Sequence, residues 1–147
     1  MKKILLLNGP NINMLGTREQ DIYGMDTLEQ IEKEVQEFGA SLNLQVDCYQ
    51  SNHEGDLIDY IHQAHQTYNG VVFNPAAYTH TSVALHDAIQ AIDTPVVEVH
   101  LSNVHKRESF RHISYTAPAC IGQIIGLGKQ GYLLAVQALH DRLNNLH

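Results

Sequence analysis

Short apolar runs alternate with amphipathic stretches along the whole chain. Lys3 to Leu7 is an apolar run closed by Asn8, and it predicts a first strand. Leu28, Ile31, Val35, Phe38 and Leu42 recur at steps of 3, 4, 3 and 4, one stripe of a helix. Asp26-Thr27-Leu28-Glu29 ahead of that stripe reads as a helix start, with Asp26 as N-cap and Glu29 reaching back. Leu44, Val46 and Cys48 alternate, which predicts a second strand over Leu44 to Gln50. Leu57, Ile61, Ala64 and Tyr68 give a second helical stripe, and Val71-Val72-Phe73 is a compact run closed by Asn74-Pro75. A third helical pattern spans about His80 to Ile92. Pro95 to Val99 predicts a fourth strand and Cys120 to Ile125 a fifth. A last helix carries Tyr132, Val136, Leu139, Leu143 and Leu146 in register.

Strand–helix alternation with continuous apolar strands implies a parallel sheet covered on both faces. Five strands in 147 residues match a single domain with a flavodoxin-like, doubly wound α/β sheet in the order 2-1-3-4-5. In such sheets the ligand crevice lies beyond the carboxyl ends of the strands. Composition agrees with a globular chain, 44% hydrophobic and 17% charged. Nine basic against sixteen acidic residues, a net −7, argue against a sequence-independent nucleic-acid binder, which needs a basic face. The apolar run near Met1 is too short for a signal peptide or a membrane span, so the expectation is a cytoplasmic protein with no membrane partner. Cys48 and Cys120 have neither metal-ligand spacing nor a disulfide framework.

The strand ends hold the candidate chemistry. About seventeen residues, Asn8 to Gly24, follow the first strand without a periodic pattern, where two to six are usual, and they carry Arg18 and Tyr23. A loop of that length (about 9–25) suggests a lid. Strand 3 runs into Asn74-Pro75-Ala76-Ala77-Tyr78-Thr79-His80, where Thr79 or Thr81 is placed to cap the next helix. His80 and Asp87, seven residues apart, fall on one helical face and suit two hydroxyls of one small molecule. Strand 4 ends in Glu98-Val99-His100-Leu101-Ser102. An ionisable pair at alternate positions of a central strand is expensive to bury unless paired, and a histidine held by a carboxylate is a ready general acid or base. Beyond it, the eight residues His105 to His112 concentrate basic charge, with Phe110 beside Arg111.

Two motifs are decoys. Gly126-x-Gly128-x-x-Gly131 spells a dinucleotide fingerprint, but only sixteen residues follow it, all helical, so no second strand exists to carry the acidic partner. It reads as tight packing at a helix start. His62-x-x-His65 lacks a third metal ligand and reads as two surface histidines. A phospho-receiver would need aspartates where strands 1 and 3 end in asparagine. A flavin or phosphate module using Gly9 to Gly16 would need a Ser/Thr-rich or Lys-Ser/Thr loop that is lacking.

Several segments taken together resemble one family. These are Gly9-Pro-Asn-Ile-Asn-Met-Leu-Gly16, Arg18-Glu-x-x-x-Tyr-Gly24, Gln50-Ser-Asn-x-Glu54-Gly, Asn74-Pro-x-Ala-Tyr-Thr-His-Thr-Ser82, Glu98-Val-His-Leu-Ser-Asn103 and Phe110-Arg-His112. They resemble the type II 3-dehydroquinate dehydratases over essentially the whole chain. Departures are small: Gln20 stands where many members have proline, Ile113 where a second histidine is common, and His86 where a basic residue is frequent. The resemblance implies dehydration of 3-dehydroquinate to 3-dehydroshikimate in the shikimate pathway, by anti elimination through an enolate, with no metal and no cofactor. It implies that Tyr23 takes the proton α to the ketone, with Arg18 as counter-charge, since a free tyrosine titrates near about 10. His100 then resembles the proton donor, Glu98 its orienting carboxylate, and Asn11 the residue that stabilises the enolate oxygen. Asn74, His80, Asp87 and Arg111 resemble the substrate-binding set, with Leu101 and Ser102 as the carboxylate site. The resemblance also implies a homododecamer built as a tetramer of trimers.

Overall fold

Ile4, Leu5, Leu6 and Leu7 have no solvent exposure at all, which requires protein on both faces of their strand and strands on both its edges. A computed structural model, describing residues 1–17 and 19–146, supplies both. The described residues form five strands: β1 (Lys2–Asn8), β2 (Leu44–Gln50), β3 (Gly70–Asn74), β4 (Val96–His100) and β5 (Gly122–Ile125). All neighbours pair in parallel, in the order β2-β1-β3-β4-β5. The helices are α1 (Gln20–Tyr23), α2 (Leu28–Ser41), α3 (Glu54–Thr67), α4 (Val83–Gln90) and α5 (Gln130–Leu143).

Alternation along β1 divides the core. Ile4 and Leu6 meet Ile31 and Val35 of α2 and Tyr132, Val136 and Leu139 of α5. Leu5 and Leu7 meet Leu57 and Ile61 of α3 and Leu85 and Ile89 of α4. The sheet is therefore doubly wound, and the register aligns Asn8 with Asn74 at one edge of the crevice. No helix among the described residues is long and apolar enough to cross a membrane.

Three local expectations shift. Thr27, not Asp26, caps α2: its side chain accepts from the Gln30 amide while the Gln30 side chain accepts from the Thr27 amide. Asp26 instead lies 3.2 Å from Lys129 Nζ. The helix expected from His80 begins at Val83, capped by Ser82 rather than by Thr79 or Thr81, because Ala76–His80 closes first as a 3-10 turn. Consequently His80 and Asp87 do not share a helix. The fifth strand starts at Gly122 rather than Cys120, whose amide is bound to Ala117 in another 3-10 turn.

Candidate active site

Tight backbone contacts shape the crevice first. A Cβ at Gly9 would stand 2.6 Å from the Pro75 carbonyl oxygen, so only glycine lets the chain leaving β1 pass that close to the one leaving β3. Tyr132, fully buried on α5, ties both strand ends: its hydroxyl donates to Asn8 Oδ1 and accepts from Asn74 Nδ2 at 2.9 Å. Asn74 Oδ1 accepts from the Ala76 amide at 3.0 Å, which holds the turn that delivers His80. Asn11 takes a left-handed conformation, φ 69°, with its amide bonded to Asn52 Oδ1 at 3.0 Å.

At the end of β4, Glu98 is wholly buried and His100 nearly so, and His100 Nε2 lies 2.9 Å from Glu98 Oε2. Burial alone would push the Glu98 carboxyl up. The His100 ring and the donors from Thr116 and Gln123 outweigh it and hold the carboxyl below its ordinary value. His80 stacks near His100, ring centroids 6.4 Å apart. Its Nδ1 donates to the Ile113 carbonyl at 2.8 Å, leaving Nε2 as an acceptor. Burial, with the His100 and Arg111 charges, holds His80 below the usual histidine range, so it is neutral near pH 7.

The segment between β1 and α2 closes the other side. Ile12 and Leu15 anchor it in the core, and α1 delivers Tyr23. Arg107 Nη1 donates to the Tyr23 hydroxyl at 2.6 Å and to Ser102 Oγ at 3.2 Å, and its guanidinium lies 5.2 Å from the Tyr23 ring centroid. Arg111 borders the same space, its Nε 2.9 Å from Glu108. The cavity these groups surround measures about 140 Å³.

Of the residues singled out from the sequence, Asn11, Tyr23, Asn74, His80, His100, Leu101, Ser102 and Arg111 line this one cavity. Glu98 stands behind His100. Asp87 is exposed on α4 and does not line it. Arg18 lies outside the described residues. Sequence reasoning missed Arg107, which was one charge among several in His105–His112; only the fold shows that it meets Tyr23 across 84 positions.

The rival motifs take the following places in the fold. Between Gly9 and Thr17, the amides of Gly9, Asn11, Met14, Leu15 and Thr17 are bonded within the protein and so are not available to a phosphate. A Cβ at Gly131 would stand 3.2 Å from Val99 Cγ1: this glycine lets α5 close onto the sheet. His62 and His65 are exposed on α3. Among the described residues no group of three or more His, Cys, Asp or Glu side chains is placed to hold a metal ion.

Fold and site together define a flavodoxin-like α/β protein with a cavity at the β1–β3 switch point lined by ionisable side chains. Residues 2–140 match the family model for class II dehydroquinases. The 3-dehydroquinate dehydratase of Variovorax paradoxus (strain S110) is 58% identical over 144 residues, 95% of this chain and 99% of that one. The type II dehydroquinase structure from Butyrivibrio crossotus superposes with a TM-score of 0.92 at 49% identity, covering 94% of this chain and 97% of that one. That from Propionibacterium acnes gives 0.93 at 42% identity, covering 95% and 97%. The chain belongs to the class II dehydroquinase family.

Proposed function

We propose that the protein converts 3-dehydroquinate to 3-dehydroshikimate, a step of the shikimate pathway, by anti elimination through an enolate and without metal or cofactor. The observation that carries this reading is a tyrosine hydroxyl under a guanidinium facing a carboxylate-held histidine across one small cavity. Tyr23, as phenolate, takes the proton α to the ketone; Arg107 and Arg18 are its counter-charges. The electron pair moves onto the ketone oxygen, and Asn11 stabilises the enolate there. When the enolate collapses, the hydroxyl leaves with a proton from His100, so one water is released and the two side chains re-equilibrate their protons through solvent.

Asn74, His80 and Arg111 grip the substrate, with neutral His80 offering Nε2 to a hydroxyl. Leu101 and Ser102 seat its carboxylate; a chain of net charge −7 binds an anion because these local groups, not the average, set the site. The segment about 9–25 serves as the lid. Asp87 does not line the cavity of its own chain, so its place in the substrate set is one that assembly would supply. That fits the homododecamer, a tetramer of trimers, which we assign together with a cytoplasmic location.

Stereospecifically deuterated 3-dehydroquinate tests the mechanism. Loss of only the deuteron anti to the departing hydroxyl, with no inactivation by borohydride, is the expected result. Loss of the syn deuteron, or borohydride trapping of an imine, would overturn it.

A further inference from the structure

Orienting one imidazole takes one carboxylate oxygen, yet the polar ends of four other side chains lie within hydrogen-bond distance of Glu98. Its Oε2 lies 2.9 Å from His100 Nε2, 2.5 Å from Gln123 Nε2, 3.0 Å from Ser114 Oγ and 3.2 Å from Thr79 Oγ1. Its Oε1 takes the Thr116 hydroxyl. The three hydroxyls also touch one another, with Thr79 Oγ1 2.5 Å from Ser114 Oγ and 2.6 Å from Thr116 Oγ1. The Ala117 amide donates to Ser114 Oγ at 2.9 Å, which fills an acceptor position there and turns the Ser114 proton toward its neighbours.

These groups come from separate parts of the chain: Thr79 from the turn after β3, Ser114 and Thr116 from the connection into β5, and Gln123 from β5 itself. Parallel pairing sets Gln123 directly opposite Glu98. A buried carboxylate with a single partner would be free to rotate or to take a proton; one enclosed by hydroxyl and amide donors can only accept.

We propose that Gln123 and the Thr79–Ser114–Thr116 hydroxyl cluster are positioning residues for the proton donor: they fix Glu98 as an acceptor for His100 Nε2, so that the ring presents Nδ1 to the substrate. This rests on the reading of His100 as the proton donor. The imidazolium then gives its Nε2 proton to a fixed hydrogen bond and its Nδ1 proton to the departing hydroxyl. The lowered carboxyl of Glu98 agrees with this enclosure.

The test pairs kinetics with crystal structures of Thr116→Val, Thr116→Ser and Gln123→Met. Valine matches threonine in shape without the hydroxyl, and Gln123 is exposed on β5, so Gln123→Met carries the test if Thr116→Val does not fold. The expected result is a kcat about tenfold lower or more in Thr116→Val and Gln123→Met, with KM within about twofold of wild type. Thr116→Ser recovers most of that loss, and the His100 ring is turned away from Glu98 in the Thr116→Val and Gln123→Met structures but not in Thr116→Ser. A kcat within about twofold of wild type in Gln123→Met, or a loss in Thr116→Val that Thr116→Ser does not recover, would overturn the proposal. If wild-type protein does not dehydrate 3-dehydroquinate, the reading beneath it fails. The crystal structures then decide the positioning separately: His100 Nε2 still on Glu98 in every variant overturns it, and a turned ring supports it.

Discussion

Replacing Glu98 with glutamine removes one charge from the most enclosed polar group of the site and alters its shape least. With the new carbonyl at the Oε2 position, His100, Gln123 and whichever hydroxyl of the Thr79–Ser114 pair donates there keep an acceptor. Each loses its charge assistance, about 1 kcal/mol apiece in gross terms. Against that, a neutral side chain escapes the cost of burying a charge, which is comparable in size. The deciding contact is the fifth one. At the Oε1 position the new NH₂ group meets the Thr116 hydroxyl donor to donor, and Thr116 must turn inward on Thr79 and Ser114. Because the carboxyl is held below its ordinary value, the donors outweigh burial and the charge is favourable where it stands. Glu98→Gln is therefore expected to destabilise the fold by about 1–3 kcal/mol at neutral pH. The sign with pH follows. A depressed folded carboxyl contributes its full stability above the ordinary value of 4.5 and loses it as pH falls through the lower folded value. Urea unfolding followed by far-ultraviolet circular dichroism, at fixed protein concentration, should show the gap between wild type and variant closing on acidification. A variant as stable as wild type at neutral pH, or a gap that widens in acid, would refute the reasoning.

Tyr23→Phe should abolish dehydration, and Arg107→Met should lower kcat about tenfold or more, both with unchanged circular dichroism; steady-state kinetics checks each. Tyr132→Phe strips partners from Asn8 Oδ1 and Asn74 Nδ2. Two buried groups left unpaired cost about 2–4 kcal/mol by urea unfolding, and KM should rise as Asn74 loses its orientation. Burial, then the Glu32 and Asp47 charges, push the Cys48 thiol up to about 12, so iodoacetamide at neutral pH should label it far more slowly than free cysteine, as read by mass spectrometry.

Much of the architecture is legible because burial writes a period into the sequence. Strand runs buried on both faces and stripes at helical spacing give the order β2-β1-β3-β4-β5, and order alone places Asn74, Glu98 and His100 at the crevice. Helix ends are less legible. Asp26-x-x-Glu29 and Thr27-x-x-Gln30 are both capping patterns one residue apart, and the choice between them goes with Lys129, more than 100 positions away, beside Asp26. The site is legible where a residue follows a strand directly. Arg107 and the hydroxyls of Thr79, Ser114 and Thr116 follow no period, since they converge on Tyr23 and Glu98 from separate turns. Nothing local distinguishes such side chains from solvated ones until the turns are packed.

The central claim is that this cavity dehydrates 3-dehydroquinate with Tyr23 as base. The ultraviolet absorbance of the conjugated enone product reports it directly when purified protein and 3-dehydroquinate are mixed. A steady rise with wild-type protein, absent with folded Tyr23→Phe, is the predicted result; no rise with folded wild-type protein, or an undiminished one with Tyr23→Phe, would contradict it.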